Sequence, residues 1–157
     1  MAGFKMLGWI RLVLIAVLAA CASDDATIRT RMIELDVATG ANGDNPVALD
    51  VVLAYDPALV EQLVGLSAAD WFRRRGEIGL AFPTGVEVSS FEVVPGQPGF
   101  VHEISQRGED AIAAFVFADY ASRGPHRARV DALERFALRL GPKDFSIEAA
   151  VSSGGST

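Results

Sequence analysis

The segment IAAFVFA, residues 112–118, is apolar on both faces of an extended chain. A strand alternates apolar and polar side chains when one of its faces meets water, so a strand without alternation is expected to be covered on each side. We therefore predict that residues 112–120 form a central strand of a sheet that carries a packed layer on both faces.

Shorter segments around this strand alternate apolar and polar residues, which is the pattern of strands with one buried face. One of them, residues 47–55, places Asp50 on the face opposite its apolar side chains. In residues 86–94 the alternation slips around Ser89 and Ser90, and a β-bulge would absorb the slip. Many short strands separated by turns favour a mainly β fold, a β-sandwich. The remaining strands are predicted at residues 33–37, 78–82, 100–104, 136–140 and 145–147.

A helical excursion is predicted between the strands. Asp56 can cap a helix whose first residue is Pro57, and apolar residues then recur at helical spacing. Ser67, followed three residues later by Asp70, resembles a capping arrangement that opens a second helix of a turn or two. We expect this second helix to end near Gly76.

Trp71 and Phe72, on the second predicted helix, have two interpretations. They form a plug that covers one end of the sandwich, or they stay exposed as an anchor for a partner protein. Arg73, Arg74 and Arg75 follow them as the one basic cluster of the chain. Three such residues at a helix end most often form a solvated face, and we interpret them in that way.

The amino-terminal segment has the three parts of a bacterial lipoprotein signal. Lys5 and Arg11 accompany an apolar stretch, and LAAC at residues 18–21 has the form of a lipobox that ends at the only cysteine of the chain. The apolar run is too short for a spanning helix, which needs roughly 20 mostly apolar residues. We expect cleavage before Cys21 and a covalent lipid on its thiol, with no other cofactor.

The predicted organisation is a signal peptide at 1–20, a lipidated tether at 21–27, a β-sandwich domain at 28–151 and a flexible tail at 152–157. Without the signal peptide the chain keeps 12 basic and 20 acidic side chains, a formal charge of −8. Nucleic-acid binding needs clustered Lys and Arg, so an acidic chain without a basic patch is not expected to have a nucleic-acid partner.

The sequence shows no catalytic or metal-binding constellation. His102 and His126 are its only histidines, and neither has a second candidate ligand at metal-site spacing, so both are predicted to be surface or edge residues. Neither a Gly-x-Ser-x-Gly elbow nor a Ser-x-x-Lys motif occurs. The acidic pairs Asp24-Asp25 and Glu109-Asp110 lie in the predicted tether and in a predicted loop. We predict no catalytic residue, no metal site and no enzymatic activity.

The order of these elements resembles a known family, the TssJ-like outer-membrane lipoproteins of type VI secretion systems. The similarity runs from about Ile28 to Ile147, and it depends on the order of lipobox, strand, helical insert, strand, Val-Pro-Gly segment and aromatic-rich strand rather than on one motif. The segments that carry it are Asn45-Pro46 before the strand that ends at Tyr55, Trp71-Phe72, Val93-Val94-Pro95-Gly96-Gln97, Phe115-Val116-Phe117-Ala118-Asp119-Tyr120 and Gly124-Pro125-His126-Arg127.

The resemblance implies a transthyretin-like β-sandwich with a short helical excursion between strands, and a structural role. Such a lipoprotein sits on the periplasmic face of the outer membrane and holds the periplasmic domain of a large, TssM-like inner-membrane subunit. Ala22 is consistent with export to the outer membrane, because aspartate at that position is the usual retention signal. In the family, the loop between the first two strands contacts the partner. The corresponding loop, which we expect to be exposed, consists of Thr39, Gly40, Ala41, Asn42, Gly43, Asp44 and Asn45.

A function of another class stays open, a periplasmic lipoprotein that binds a small ligand or cell-wall fragment between the sandwich and the helices. The assembly role predicts an exposed recognition loop and a dry interior, whereas ligand binding predicts an apolar pocket with convergent polar groups. An outer-membrane hydrolase would need a carboxylate or serine site that the sequence does not locate.

Overall fold

The computed structural model describes residues 27–106 and 111–149. The predicted signal peptide, Cys21 and the tail at 152–157 lie outside these residues. The strands of the described part are β1 (Met32–Val37), β2 (Val47–Ala54), β3 (Val86–Val93), β4 (Phe100–Glu103), β5 (Ala113–Asp119), β6 (Arg127–Arg129), β7 (Arg135–Leu140) and β8 (Phe145–Ala149), and its α-helices are α1 (Pro57–Gly65) and α2 (Ala68–Ala81).

The strands form two four-stranded sheets that pack face to face. The first sheet has the order β4-β1-β7-β8, and the second has the order β3-β2-β5-β6. Neighbouring strands are antiparallel except β1 and β7, which run parallel with Ile33 opposite Phe136. Both helices lie between β2 and β3 in the chain. The prediction of a mainly β sandwich with a helical excursion between strands is confirmed.

The two sheets enclose one apolar core, and each strand contributes alternate residues to it. The prediction for residues 112–118 is confirmed, because Ala114 and Val116 of β5 face this core while Phe115 and Phe117 face the opposite side, and all four are buried. Strand β2, the neighbour of β5, is also buried along nearly its whole length. The centre of the second sheet is therefore covered on both faces.

The second cover is the helical layer, which consists of α1 and α2 packed on the outer face of the second sheet. Helix α1 contributes Leu59 and Leu63, and α2 contributes Trp71 and Ile78, all of them buried. The indole of Trp71 stacks on Phe117, with ring centroids 5.1 Å apart and planes inclined by 16°. Trp71 is thus buried, as the plug interpretation expects, but it covers a sheet face rather than one end of the sandwich. Phe72 beside it is half-buried.

Both helices begin at the predicted caps. The Asp56 side chain accepts hydrogen bonds from the backbone N–H groups of Ala58 and Leu59, at 2.8 and 3.4 Å. The Ser67 hydroxyl oxygen accepts one from the Asp70 N–H at 3.2 Å. The Ser67 hydroxyl also donates to the Asp70 carboxylate, which lowers the pKa of Asp70.

A buried carboxylate lies beneath the helical layer. Asp50 of β2 is on the face opposite the sandwich core, as predicted, but that face is covered and Asp50 is only 1% exposed. Its Oδ2 accepts hydrogen bonds from Trp71 Nε1 and from Arg75 Nη1, both at 2.8 Å. Arg75 also lies over the Phe72 ring, 5.0 Å from its centroid. The interpretation of Arg73–Arg75 as a purely solvated face is therefore wrong for Arg75.

Helix α2 is longer than expected, and this corrects two predictions. It continues through Gly76 to Ala81, so residues 78–82 are not a strand. A short apolar run does not distinguish helix from strand by its period. Trp71 and Ile78 lie seven residues apart, which places them on one helical face, and burial of that face against the second sheet decides in favour of the helix.

The predicted bulge in β3 is also wrong, because the pairing with β2 runs without interruption through Ser89 and Ser90. The apolar residues change faces for another reason. Val86 packs with the helical layer, whereas Phe91 and Val93, farther along the strand, pack with the sandwich core. The short strand β6 was not predicted, since its three residues alternate too briefly to give a pattern.

Within residues 27–106 and 111–149, no element covers the outer face of the first sheet, and this face is charged. Arg139 of β7 forms ion pairs with Asp36 of β1 and with Glu148 of β8, the latter at 2.9 Å between Nε and Oε1. The bond to Glu148 raises the pKa of Arg139 above its ordinary value. Such exposed pairs contribute little to stability, but they keep this face polar.

Changing Trp71 to Phe should separate two contributions to stability, the stacking of the aromatic ring and the hydrogen bond of the indole N–H. Phe keeps an aromatic ring against Phe117 but removes one donor from the buried Asp50 carboxylate, so we expect a loss of about 1–3 kcal/mol in the free energy of unfolding. Urea unfolding, monitored by circular dichroism, measures this loss in the free energy of unfolding. The control is Leu80→Ala on the same helix, expected to cost less than about 0.5 kcal/mol because Leu80 is exposed. Equal costs for the two variants would contradict the assignment.

Candidate functional site

Four loops meet at one end of the sandwich, which we call the distal end. They are the β1–β2, β3–β4, β5–β6 and β7–β8 connections, residues 38–46, 94–99, 120–126 and 141–144. The predicted partner loop, 39–45, is one of these connections. The distal end is therefore a composite surface to which four segments contribute.

The β1–β2 loop is a compact turn held by the side chain of Asn42. The Asn42 Nδ2 donates to the Pro46 carbonyl at 3.1 Å, and its Oδ1 accepts from the Ala121 N–H at 2.8 Å. The Asn42 N–H donates to the Gly141 carbonyl at 3.2 Å. One residue thus joins its own loop to the β5–β6 loop and to the β7–β8 turn.

The expectation that this loop is exposed throughout is wrong at its centre. Ala41 is fully buried in the sandwich core and Asn42 is 6% exposed, while Thr39, Asp44 and Asn45 are exposed. The chain makes a short 3₁₀ turn at Ala41–Asp44 in which several residues have positive φ, a conformation that Asn, Asp and Gly tolerate. The Asn, Asp and Gly residues that predicted a solvated turn therefore also allow a rigid turn.

His126 ties together two other loops of the distal end. It is buried, and its Nδ1 lies 3.0 Å from Asp144 Oδ1 while its Nε2 lies 2.9 Å from the Ser122 carbonyl oxygen. A Cβ on Gly124 would lie 2.7 Å from His126 Cε1, so the ring occupies space that only glycine leaves. The prediction of a surface or edge position is wrong for His126. His102, on the edge strand β4, is half-buried, in keeping with the edge position predicted for it.

Ser122, His126 and Asp144 have the connectivity of a serine hydrolase triad, but their protons are arranged differently. The Ser122 Oγ lies 3.4 Å from His126 Nε2, yet the hydroxyl donates to the Lys143 carbonyl. His126 Nε2 faces the Ser122 carbonyl oxygen, which only accepts, so this nitrogen carries a proton. A general base needs a free lone pair directed at the nucleophile. The geometry is that of a link between loops.

Tyr120 packs against this cluster, with its ring centroid 5.0 Å from that of His126. Burial, and then the charge of Asp144, raise the pKa of Tyr120 to about 12. The phenol is consequently neutral at physiological pH, and it adds an apolar ring to the distal loops rather than a charge.

The opposite end of the sandwich, which we call the proximal end, receives the chain from the predicted tether. The Ile28 N–H donates to the Ala111 carbonyl at 3.0 Å, and the Arg29 N–H donates to the Asp131 carbonyl at 2.7 Å. Strand β1 then runs from this end to the distal end, a length of about 20 Å at roughly 3.3 Å per residue. Ile28, which follows the predicted tether in the sequence, and the predicted partner loop thus lie at opposite ends of the sandwich.

No helix among residues 27–106 and 111–149 is long and apolar enough to cross a membrane. Within the same ranges, no three His, Cys, Asp or Glu side chains come together in a way that would hold a metal ion.

No protein-family model and no curated protein sequence matches the chain. Its structure is similar to that of the type VI secretion lipoprotein TssJ1 from Pseudomonas aeruginosa, with a TM-score of 0.61, 19% identity, and coverage of 78% of this chain and 98% of that one. It is also similar to Serratia marcescens Lip, a membrane-bound component of the type VI secretion system, with a TM-score of 0.52, 15% identity, and coverage of 75% and 97%.

The chain has the fold of these two type VI secretion proteins. The overlap covers nearly the whole of both solved chains. At these identities the TssJ likeness establishes architecture, and the roles of individual residues rest on the geometry described above.

Sequence reasoning missed the residues that hold the distal end together. Asn42 was assigned to the partner loop by resemblance, without its contacts to Ala121 and Gly141, and the link between His126 and Asp144 was not foreseen. The available signal was a Gly-Pro-His sequence at 124–126, in which glycine beside a histidine leaves room for a packed ring. The partners lie 18 or more residues apart, beyond the range of local patterns.

We predict that Ser122 does not react with a fluorophosphonate probe that labels activated serines. Its hydroxyl proton is engaged by the Lys143 carbonyl, and His126 offers it no lone pair. Gel fluorescence of the purified chain measures the labelling, with a serine hydrolase as positive control. Labelling that disappears in the Ser122→Ala variant would show that the cluster is catalytic.

Proposed function

We propose that this chain is an outer-membrane lipoprotein that acts as a structural component of a type VI secretion membrane complex. In this proposal the lipid on Cys21 anchors it at the periplasmic face of the outer membrane. The distal end holds the periplasmic domain of a TssM-like inner-membrane subunit. The protein would have no enzymatic role.

The observation that supports the proposal is that Ile28, which follows the predicted tether, and the predicted partner loop lie at opposite ends of a TssJ-type sandwich. The tether joins at the proximal end, through the hydrogen bond from Ile28 to Ala111, while the partner loop closes the distal end. A domain anchored at one end directs its other end away from the membrane. A partner that arrives from the inner membrane would meet the distal loops first.

The rigidity of the distal end supports a docking role. Asn42 fixes the β1–β2 loop to two neighbouring loops, and His126 fixes the β5–β6 loop to the β7–β8 turn. Association loses less entropy when the contacting loops are already ordered, so a preformed surface binds more tightly for the same contact area. Exposed polar side chains around this frame, such as Thr39, Asp44 and Asn45, are available to select the partner.

Lipid attachment supports the assembly role in a second way. An anchored module has a high effective concentration at its membrane, so even a weak contact with a partner becomes productive. Several acyl chains are required for durable anchoring, since one chain binds only marginally. The lipid on Cys21 would therefore supply the holding force, and the sandwich would supply the specificity.

The anchor is tested by changing Cys21 to Ser. We expect the variant to leave the membrane fraction, because Cys21 is the only cysteine that can carry the thioether-linked lipid. Fractionation of cells that express the two forms, followed by immunoblotting, gives the measurement. Membrane association that persists in the variant would refute the lipid anchor.

The partner surface is tested by Thr39→Arg, which places a long charged side chain on the β1–β2 loop. Thr84→Arg is the matched control, because Thr84 is an exposed threonine in the turn between α2 and β3 at the proximal end. We expect Thr39→Arg to weaken binding of the TssM-like periplasmic domain by about tenfold or more, roughly 1.4 kcal/mol. Thr84→Arg should leave binding unchanged. Calorimetry with the purified domains measures both.

Two outcomes would count against the proposal. Equal effects of the two variants on binding would show that the partner does not bind at the distal end. A wild-type chain that binds no inner-membrane subunit, but is stabilised against heat by cell-wall fragments, would favour the ligand-binding function instead.

A further inference from the structure

The carboxyl-terminal end of α2 presents an apolar surface at the proximal end. Leu80 is 85% exposed, more than any other large apolar side chain in residues 27–106 and 111–149. Ala81 and Pro83 beside it are also exposed. The whole segment at 79–85, GLAFPTG, carries no charge, so its contact with an apolar medium would require no charged group to leave water.

This apolar tip lies at the same end of the domain as the tether. Helix α2 starts at the distal end, where the Ala68 N–H donates to the Pro125 carbonyl, and it finishes at the proximal end, where the turn after it pairs Gly85 with Tyr55. Strand β2, which ends beside that turn, is joined through Ala54 and Ile112 to the segment that receives Ile28. The tip and the start of the described chain therefore share one end of the sandwich.

The length of the tether brings this end close to the bilayer. Six residues lie between Cys21 and Ile28, so the two Cα atoms can be at most about 25 Å apart when the chain is fully extended. Ile28 is buried and bonded to Ala111, so the tether cannot lengthen by unravelling without loss of core contacts. The proximal end thus stays within reach of the lipid surface that holds Cys21.

The exposed arginines of α2 precede its apolar tip along the helix, and the exposed Glu77 lies between them and Leu80. Arg73 and Arg74 are exposed one to two turns before Leu80, about 9 to 10 Å back along the axis at 1.5 Å per residue. Interfacial helices bury apolar side chains about 5–10 Å into the boundary of headgroups and acyl chains, while Lys and Arg remain among the headgroups. The tip and the arginines match that spacing.

We propose that the tip of α2, formed by Leu80, Ala81 and Pro83, inserts into the interface of the phospholipid bilayer that carries the lipid anchor. This inference rests on the lipid anchor of the proposed function. The tip is a second, non-covalent contact that fixes how the domain stands on the membrane. The helical layer then supports the domain on the bilayer, and the distal loops face away from it.

The test uses the full chain with its lipid, reconstituted in vesicles of phosphatidylethanolamine and phosphatidylglycerol. Because lipidated Cys21 has no free thiol, Leu80→Cys provides a single site for a bimane label. Val94→Cys, an apolar position 47% exposed at the distal end, is the matched control. We expect iodide to quench the label at position 80 several-fold less on vesicles than in the soluble Cys21→Ser form, with no change at position 94.

A second variant separates insertion from simple proximity. With the label at Thr84→Cys, the wild-type tip should shield it from iodide on vesicles, and Leu80→Glu should abolish the shielding because a carboxylate resists entry into the interface. The Leu80→Glu side chain is exposed in the folded domain, so the fold is expected to be retained, and circular dichroism checks this.

The outcomes distinguish this inference from the proposed function. A chain that stays with the vesicles on flotation but is quenched equally at positions 80 and 94 overturns the inference and leaves the anchor intact. Shielding at both positions would mean that the domain lies flat, which also overturns it. A chain that does not float with the vesicles overturns the anchor and the inference together. Shielding at position 80 that appears only after a partner protein is added would assign the tip to that protein.

Discussion

The contact of the Trp71 indole with Phe117 and Asp50 fastens the helical layer to the second sheet, and the rest of the architecture depends on it. Among the described residues, Asp50 is the only carboxylate buried beneath the helices, and a carboxylate is costly to bury unless it is paired. Trp71 and Arg75 supply the two donors to Asp50 from one side of α2. The burial of apolar surface holds α2 against the sheet, and the two hydrogen bonds fix its orientation. Another rotation or register of the helix would leave the carboxylate without these donors.

The helical layer spans the domain between its distal and proximal ends. Helix α2 runs from the distal loops to the proximal turn, so its position connects the surface that would meet a partner with the surface that would meet lipid. At the distal end, Asn42 and His126 join loops that are far apart in sequence. The link from His126 to Asp144 uses groups familiar from hydrolases, and only the placement of protons separates a link between loops from a catalytic site. This arrangement agrees with the structural role proposed above.

The elements foreseen from sequence are those encoded locally. The apolar run at 112–118 indicated a doubly covered strand, and Asp56 with Pro57 indicated the start of α1. Alternation in β2 placed Asp50 on the correct face, but it carries no information on what covers that face, so burial of the carboxylate could not be foreseen. Residues 78–82 were assigned to a strand because a short apolar run has no clear period, and only packing against the second sheet selects a helix. The contacts of Asn42 and His126 are tertiary and leave no local pattern.

The parallel pairing of β1 with β7 affects the order in which the strands of this domain can pair during folding. Asp36 and Arg139, which face each other across that pair, are separated by 103 residues in the chain. A strand that must wait for a partner so distant forms its contacts late, because closing a long loop loses entropy before any contact compensates for it. The amino-terminal strand therefore stays unpaired on that side until nearly the whole chain has been delivered. If the chain is exported as the proposed function requires, this topology would delay folding in the compartment of synthesis, because the domain could close only after its last strands are made.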